Sequence, residues 1–227
     1  MKNIAIVLAG GSGSRMQSST PKQFLLIKGL PVLMHTLQAF FLAPSHPEII
    51  LVIARSEQQT WQQLCLTHHF SVPHQVVTGG RDRFTSVYNA LQTINDHHSL
   101  NRDIIVGVHD GVRPLVSPAL IELIFTAAKS CGSAVPCLEC RESIRFIQEK
   151  GSVMVRRSDF RMVQTPQCFP FVDLYDAYTV VAGDGTEYTD DASVAEKRGM
   201  KIHLVDGENR NIKITYPEDL LIAAALL

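Results

Sequence analysis

The sequence predicts a doubly wound α/β fold, a mostly parallel sheet with helices on both faces and a β-hairpin arm projecting from it. Short runs rich in β-branched residues, Ile4 to Leu8, Ile49 to Ile53, Gln75 to Thr78 and Ile104 to Val108, alternate with helix-length stretches near Leu33 to Phe41, Gln58 to Leu66, Phe84 to Gln92 and Pro118 to Ser130. Strands separated by helices pair in parallel through right-handed crossovers. Loops of glycine and charge, residues 10–15, 79–83 and 110–113, follow three of these runs at their carboxyl ends. Ligands of doubly wound sheets bind there. The alternating segment Glu142 to Ile147, the turn-forming Lys150-Gly151-Ser152 and the return Val153 to Arg157 read as a hairpin. A chain of 227 residues, 45% of them apolar, can bury a sizeable core, so we expect a single domain over 1–227 with an arm at about 138–160.

The first strand runs into Ala9-Gly10-Gly11-Ser12-Gly13-Ser14-Arg15-Met16, with Pro21-Lys22-Gln23 beyond it. Glycines after a buried strand let the backbone turn tightly and aim successive N–H groups at one spot, which is a cradle for phosphate. Arg15 adds a planar fork and Lys22 a point charge, so the expected guest is a nucleoside triphosphate. A P-loop would close on Gly-Lys-Ser/Thr, and this loop closes on Arg15-Met16. A dinucleotide fingerprint would need a third glycine at Met16 and an acid further on to hold a ribose.

Farther along, Gly79, Gly80 and Ser86 are small enough to let a base approach backbone amides and carbonyls. Asp110 ends an apolar strand, where a carboxylate needs a cation or a metal shell; Arg113 is a local partner for it. The hairpin is strongly charged and offers few apolar residues to a core, which suits an arm standing off the domain. Thr189-Asp190-Asp191 precedes a helix from Ala192 to Arg198, and capping with dipole compensation is reason enough for these acids. Thr215 and Glu218 have capping-box spacing around Pro217 and mark the last helix.

Composition excludes several classes of partner. A net charge of −1 without any basic run interleaved with aromatics argues against nucleic acid. Met1-Lys2-Asn3 leads straight into the first strand, and Leu220 to Leu227 is too short to span a bilayer, so we expect a cytoplasmic protein with no membrane contact. Cys65, Cys131, Cys137, Cys140 and Cys168 are odd in number and lack a framework spacing. Cys137-x-x-Cys140 has no second pair, and His68-His69 and His97-His98 lack a helical partner spacing for a metal. Buried reduced thiols and solvated histidines are expected.

The motifs together resemble one family. Gly11-x-Gly13-x-Arg15-Met16 with Pro21-Lys22-Gln23-Phe24 is similar to the opening signature of the 2-C-methyl-D-erythritol 4-phosphate cytidylyltransferases of isoprenoid precursor synthesis. Gly79-Gly80-Arg81-Asp82-Arg83 leading to Ser86, Val108-His109-Asp110-Gly111-Val112-Arg113-Pro114, Thr165-Pro166-Gln167, Thr189-Asp190-Asp191-Ala192 and Asn211-Ile212-Lys213-Ile214-Thr215 resemble the later blocks. Arg81, Gly111-Val112 and Ser143 depart from the usual pattern, which carries an acid, paired alanines and threonine at these places.

The resemblance implies a Rossmann-like nucleotidyltransferase sheet and transfer of CMP from CTP to methylerythritol phosphate, with release of pyrophosphate. It implies Arg15, Lys22 and Lys213 as cations on the reacting phosphates, with Arg157 gripping the acceptor. On pattern alone Lys213 reads as an exposed lysine of a half-buried strand, and only the resemblance brings it to the site. It further implies that Ala9, Gly10, Gly11, Gly13, Gly80, Ser86 and Asp110 contact the nucleotide, and that Arg113, Ser143, Thr165 and Thr189 contact the acceptor. Mg²⁺ would accompany the triphosphate, with Asp110 acting through water and no direct metal ligand assigned. The hairpin would be exchanged across a homodimer. A ribitol 5-phosphate (pentitol phosphate) cytidylyltransferase would use similar loops on another acceptor. A sugar-nucleotide glycosyltransferase would show Asp-x-Asp at the central strand end, where this chain has Asp110-Gly111-Val112. A non-catalytic nucleotide-binding module would not need both Arg15 and Lys22 beside the phosphates.

Overall fold

The computed structural model describes residues 1–11, 16, 18 and 20–227. Strand β1 (Lys2–Leu8) is followed by a small hairpin of β2 (Leu26–Ile27) and β3 (Leu30–Pro31), then α1 (Val32–Phe41), β4 (Glu48–Ile53), α2 (Gln58–Thr67), β5 (Gln75–Thr78), α3 (Arg83–His98), β6 (Ile104–Asp110) and α4 (Pro118–Cys131). Beyond it come β7 (Val135–Glu139), the arm strands β8 (Arg145–Gln148) and β9 (Gly151–Met154), β10 (Arg161–Val163), β11 (Gln167–Pro170), α5 (Phe171–Val181), α6 (Asp191–Lys197), β12 (Leu204–Asp206) and α7 (Pro217–Leu226).

The main sheet has the order β11-β6-β1-β4-β5. Its β6, β1, β4 and β5 are parallel, and β11 joins the edge antiparallel to β6. Because side chains alternate along a strand, Ala5 and Val7 of β1 face α1, α2 and α4, while Ile4 and Ile6 face α3, α5 and α6. Both faces are covered, as a doubly wound sheet requires. The helices start where the sequence punctuates them. Asp82 caps α3 by accepting from the Thr85 N–H at 2.7 Å, and Ser117 caps α4 by accepting from Leu120 at 2.9 Å, with Pro118 in the first turn.

A second sheet, β10-β7-β12, has no counterpart in the sequence prediction. Its strands are 3 to 5 residues long and half exposed, too short for a readable period. Helix α5 likewise has no counterpart there.

Three sequence expectations shift. Gln148 pairs with Gly151 across Glu149-Lys150, so the arm strands run Arg145–Gln148 and Gly151–Met154. Gly151 takes φ +105°, which only glycine adopts without strain, and the return strand therefore starts there. Ser143 precedes the outgoing strand and Arg157 opens a 3-10 turn, so both sit at the base of the arm instead of on its limbs. The arm is also more apolar at its surface than its charge implied: Ile147 and Met154 are 74% and 73% exposed, with Phe146 and Val153 beside them. Residues Asn211 to Thr215 form an irregular segment, not a strand. Their carbonyls are taken by side chains: Lys22 Nζ donates to Ile214 at 3.1 Å and Arg113 Nη1 to Asn211 at 2.8 Å. The cap of α7 lies one residue beyond the expected pair. Pro217 opens the helix, and Asp219, not Glu218, accepts from the Thr215 and Tyr216 N–H groups at 2.7 and 2.8 Å.

Candidate active site

The carboxyl ends of β1 and β6 surround a cavity of about 200 Å³ that brings together Ala9, Gly10, Gly11, Lys22, Gly80, Ser86, Asp110 and Lys213. A larger hollow of about 670 Å³ opens at the other end of the sheet, against Lys2, Glu48 and Gln75. The smaller one is where the glycine loop and the cations converge, at the end of the sheet where such folds bind ligands.

Each wall has a local cause. Gln23 Nε2 donates to the Ala9 carbonyl and to Glu57 Oε2, both at 2.8 Å, and so ties the turn carrying Lys22 to the end of β1. A side chain at Gly80 would overlap Thr85, whereas the bare backbone brings its N–H to Ser86 Oγ at 3.0 Å. Ser86 in turn donates to the Asp82 carbonyl at 2.7 Å, so its hydroxyl shapes the pocket wall. A Cβ at Gly111 would lie 2.8 Å from the Leu8 carbonyl, to which the Gly111 N–H donates; at this departure from the family pattern β1 and β6 leave no room for a side chain.

The charges form a connected set. Asp110 Oδ2 lies 3.1 Å from Arg113 Nε and 3.2 Å from Lys213 Nζ. Burial pushes the Asp110 carboxyl up, but Lys213, Arg113 and Arg83 outweigh it and hold the group well below the usual carboxylate range. The Asp110 N–H donates to Thr165 Oγ1 at 3.1 Å, and the same hydroxyl shares a hydrogen bond with His109 Nδ1 at 3.0 Å. Burial pushes the His109 imidazole down to about 3, against the opposing pull of Asp110. Gln164 and Asn211 lock the loop that carries Lys213: Gln164 Nε2 donates to the Glu208 carbonyl at 2.9 Å, and Asn211 Nδ2 to the Thr165 carbonyl at 2.9 Å. Among the described residues, no group of three or more His, Cys, Asp or Glu is arranged to hold a metal ion. Asp110 is nevertheless the kind of single carboxylate on which a hydrated, phosphate-borne cation rests.

Residues 3–227 match the model of one protein family, IspD, 2-C-methyl-D-erythritol 4-phosphate cytidylyltransferase. The chain belongs to this family. A cytidylyltransferase of that name from Bacteroides thetaiotaomicron is 45% identical, with the whole of both chains covered. One from Porphyromonas gingivalis is 44% identical over all of this chain and 98% of its own. The solved cytidylyltransferase of Thermus thermophilus superposes with a TM-score of 0.80 at 30% identity, over 100% of this chain and 98% of that one. That of Francisella tularensis gives 0.82 at 28% identity with both chains fully covered.

The remaining positions of the cytidylyltransferase signature fall into three places. Arg15 and Gly13 lie outside the described residues. Arg113 and Thr165 stand behind Asp110 and hold it, without lining the cavity. Thr189 is exposed just before α6, Ser143 is exposed at the arm base, and Arg157 lines a separate hollow of about 450 Å³ with Arg141 and Asn209. The Arg157 guanidinium donates to the Arg141 carbonyl at 2.6 Å.

Sequence reasoning missed two groups at the cavity. Gln23 stands out in the sequence only as part of a motif, and Arg83 reaches across to Asp191, 108 residues away. No local pattern encodes such a pair. Asp191 is fully buried and accepts from Arg83 and from the Tyr178 hydroxyl, while its neighbour Asp190 caps α6 by accepting from Ser193 at 3.0 Å. The cap is therefore Asp190, while Asp191 is the acid in the first turn of α6 and also holds Arg83. The five cysteines are free thiols, with Cys137 and Cys168 buried, Cys65 and Cys140 half-buried and Cys131 exposed.

Proposed function

We propose that this chain transfers CMP from CTP to 2-C-methyl-D-erythritol 4-phosphate, releasing pyrophosphate, in isoprenoid precursor synthesis. The observation that carries the reading is the junction at Ile214. Buried Lys22 bonds the Ile214 carbonyl, and neighbouring Lys213 reaches Asp110, so two cations from opposite ends of the chain meet at the cavity lined by Gly10 and Gly11.

In the reaction an oxygen of the acceptor phosphate attacks the α-phosphorus of CTP. The bond from that phosphorus to the bridging oxygen breaks, and the electron pair leaves with pyrophosphate. The acceptor is a phosphate monoester with a second pKa of about 6, so it is already largely ionised near neutrality and needs no general base. The work left to the protein is positioning and neutralising charge. Lys22 and Lys213 supply fixed cations, and Arg15 is assigned the same task. Gly10, Gly11 and Gly13 offer backbone N–H groups to the triphosphate, Ala9 lines the nucleotide side with its own N–H given to the Val52 carbonyl at 2.8 Å, and Gly80 and Ser86 frame the base. Arg113 and Thr165 hold Asp110, and with Thr189 and Ser143 they form the acceptor side. When bound, Mg²⁺ would add charge neutralisation on the triphosphate, with Asp110 holding its water shell.

Arg157 and Ser143 reach the site from the partner's arm in a homodimer. Exposed Phe146, Ile147, Val153 and Met154 support that reading as the apolar surface such an exchange would cover. Among the described residues no helix is long and apolar enough to cross a membrane. Free thiols favour a reducing compartment, and we place the protein in the cytoplasm.

The deciding assay follows pyrophosphate release from CTP with methylerythritol phosphate or ribitol 5-phosphate as acceptor, with and without excess chelator. Turnover is expected with the first acceptor and to stop on chelation. Preference for ribitol 5-phosphate, or full activity in chelator, overturns the reading.

A further inference from the structure

We propose that Arg83 and Phe84 form a positioning clamp that fixes Thr189 relative to the nucleotide cavity. The clamp rests on the reading of Thr189 as an acceptor contact and specifies how that contact is held.

Thr189 lies near the end of an irregular stretch, residues 182–190, in which Gly183 and Gly185 take φ +85° and +76°. Within the stretch Asp184 accepts from the Thr186 N–H at 2.8 Å and from the Tyr188 hydroxyl at 2.6 Å, which orders the turn without tying it to the cavity. Tyr188, next to Thr189, and Asp191, two residues beyond it, are also held by the loop at the base pocket. On one side, the Arg83 guanidinium spans Asp191, with Nη1 to Oδ1 at 3.1 Å and Nη2 to Oδ2 at 2.5 Å. Asp191 is fully buried and also accepts from the Tyr178 hydroxyl at 2.7 Å. On the other side, the Phe84 ring stacks on Tyr188 with centroids 6.1 Å apart and on Tyr178 at 4.7 Å. Adjacent residues of the first turn of α3 thus grip Tyr188, next to Thr189, and Asp191, two residues beyond it.

The same turn faces the nucleotide. Arg83 lines the cavity beside Gly80, Ser86 and Asp110. Burial disfavours its cation, but Asp191 more than restores it, so the guanidinium stays charged. Gln167 braces Asp191 from behind, its Oε1 accepting from the Asp191 and Ala192 N–H groups at 3.0 and 2.9 Å. A side chain that touches both the cavity and the turn before α6 transmits the position of one to the other.

The test measures KM for CTP and for methylerythritol phosphate separately, with thermal melts on every variant. Arg83→Lys keeps a charge beside Asp191, and Tyr188→Leu removes the stack without touching the ion pair. Each is expected to raise the acceptor KM about tenfold, the worth of one misplaced hydrogen bond, and Tyr188→Leu, which lies outside the nucleotide cavity, to leave the CTP KM within about twofold. Tyr188→Phe keeps the ring and should change neither. Thr189→Ala should raise the acceptor KM by a similar factor, and adding Arg83→Lys or Tyr188→Leu to it should raise it no further. If Thr189→Ala leaves the acceptor KM unchanged, the reading of Thr189 itself falls. If Thr189→Ala has its effect while the clamp variants are silent or multiply it, or while Tyr188→Leu raises the CTP KM in step, the clamp is overturned and that reading survives. Should Arg83→Lys fail to fold, the Tyr188 variants decide alone.

Discussion

The cavity and the arm use opposite means to hold functional residues. Around the cavity, polar groups bond one another inside the chain: Asp110 is shared by Arg113 and Lys213, and the loop of Lys213 is locked by Gln164 and Asn211. At the arm, Phe146, Ile147, Val153 and Met154 face water, and Arg157 is held by one bond to the Arg141 carbonyl. Networks of buried polar groups rigidify a site, whereas uncovered apolar surface marks a face completed by something else. The cavity network still leaves Gln23 Oε1, His109 Nε2 and Asn211 Oδ1 without a partner among the described residues, but its bonds all lie within one chain, and the arm is proposed to be completed by a second.

The sharpest break in this contrast comes from Lys22→Ala. Lys22 is buried and bonds the Ile214 carbonyl, so it is fixed before any substrate arrives. Deleting one preorganised group that stabilises transition-state charge costs turnover on the order of 100-fold to 1,000-fold, or about 3–4 kcal/mol. Stability should fall far less than turnover, by about 1 kcal/mol for each hydrogen bond lost. Steady-state kinetics beside thermal melts separate the two effects. Near-normal turnover would remove Lys22 from catalysis.

The arm is tested by complementation. A mixed dimer of Arg157→Ala and Lys22→Ala subunits would hold one site with both wild-type residues and one with neither. After complete exchange half of the dimers are mixed, so activity should climb from near background to about a quarter of wild type. Mass spectrometry checks the exchange. Activity that stays at the sum of the parents would mean the arm serves its own subunit.

How much of this was legible in the sequence follows the same division. The parallel strands and the glycine loop were readable because continuous apolar runs rich in β-branched residues and glycine clusters are local signals, and they led to Gly10, Gly11, Lys22 and Asp110 at one cavity. The pattern misplaces Lys213 on a strand because alternating burial also arises in an irregular segment pinned by side chains from elsewhere, here Lys22 and Arg113. The Arg83–Asp191 pair and the β10-β7-β12 sheet join residues distant in sequence, and no window of neighbouring residues contains either. The arm's charge concealed its apolar residues, since Arg145, Glu149 and Lys150 dominate the composition while Ile147 and Met154 stay bare.

Those bare residues give a third test. Ile147→Asp with Met154→Asp puts charge where burial across a dimer would be worth about 1.5–3 kcal/mol per side chain. The dimer dissociation constant, followed by sedimentation, should rise at least about 100-fold. The folding of each chain should be indifferent, because both positions are already 74% and 73% exposed. Unchanged self-association would place the interface elsewhere.

The smallest expected effect lies on the cavity side and is read as stability against pH. His109 is buried and neutral, with its pKa pushed down to about 3, while an unfolded histidine titrates near 6.5. Between those values the unfolded chain binds a proton that the native chain refuses, so stability rises with pH and is lost as pH falls. The loss for this one group is about 2 kcal/mol between pH 8 and pH 5. Asp110 has the same sign in a lower window. Its folded pKa is depressed below 3.8, so its contribution is present above that value and is lost as pH falls toward the folded one. His109→Asn, which cannot titrate, should flatten the slope of unfolding free energy between pH 8 and pH 5 and leave the steeper fall below pH 4 in place. Denaturant melts across that range would show it. An unchanged slope in the variant would assign the acid sensitivity to other groups and leave the His109–Thr165–Asp110 chain with a purely geometric role.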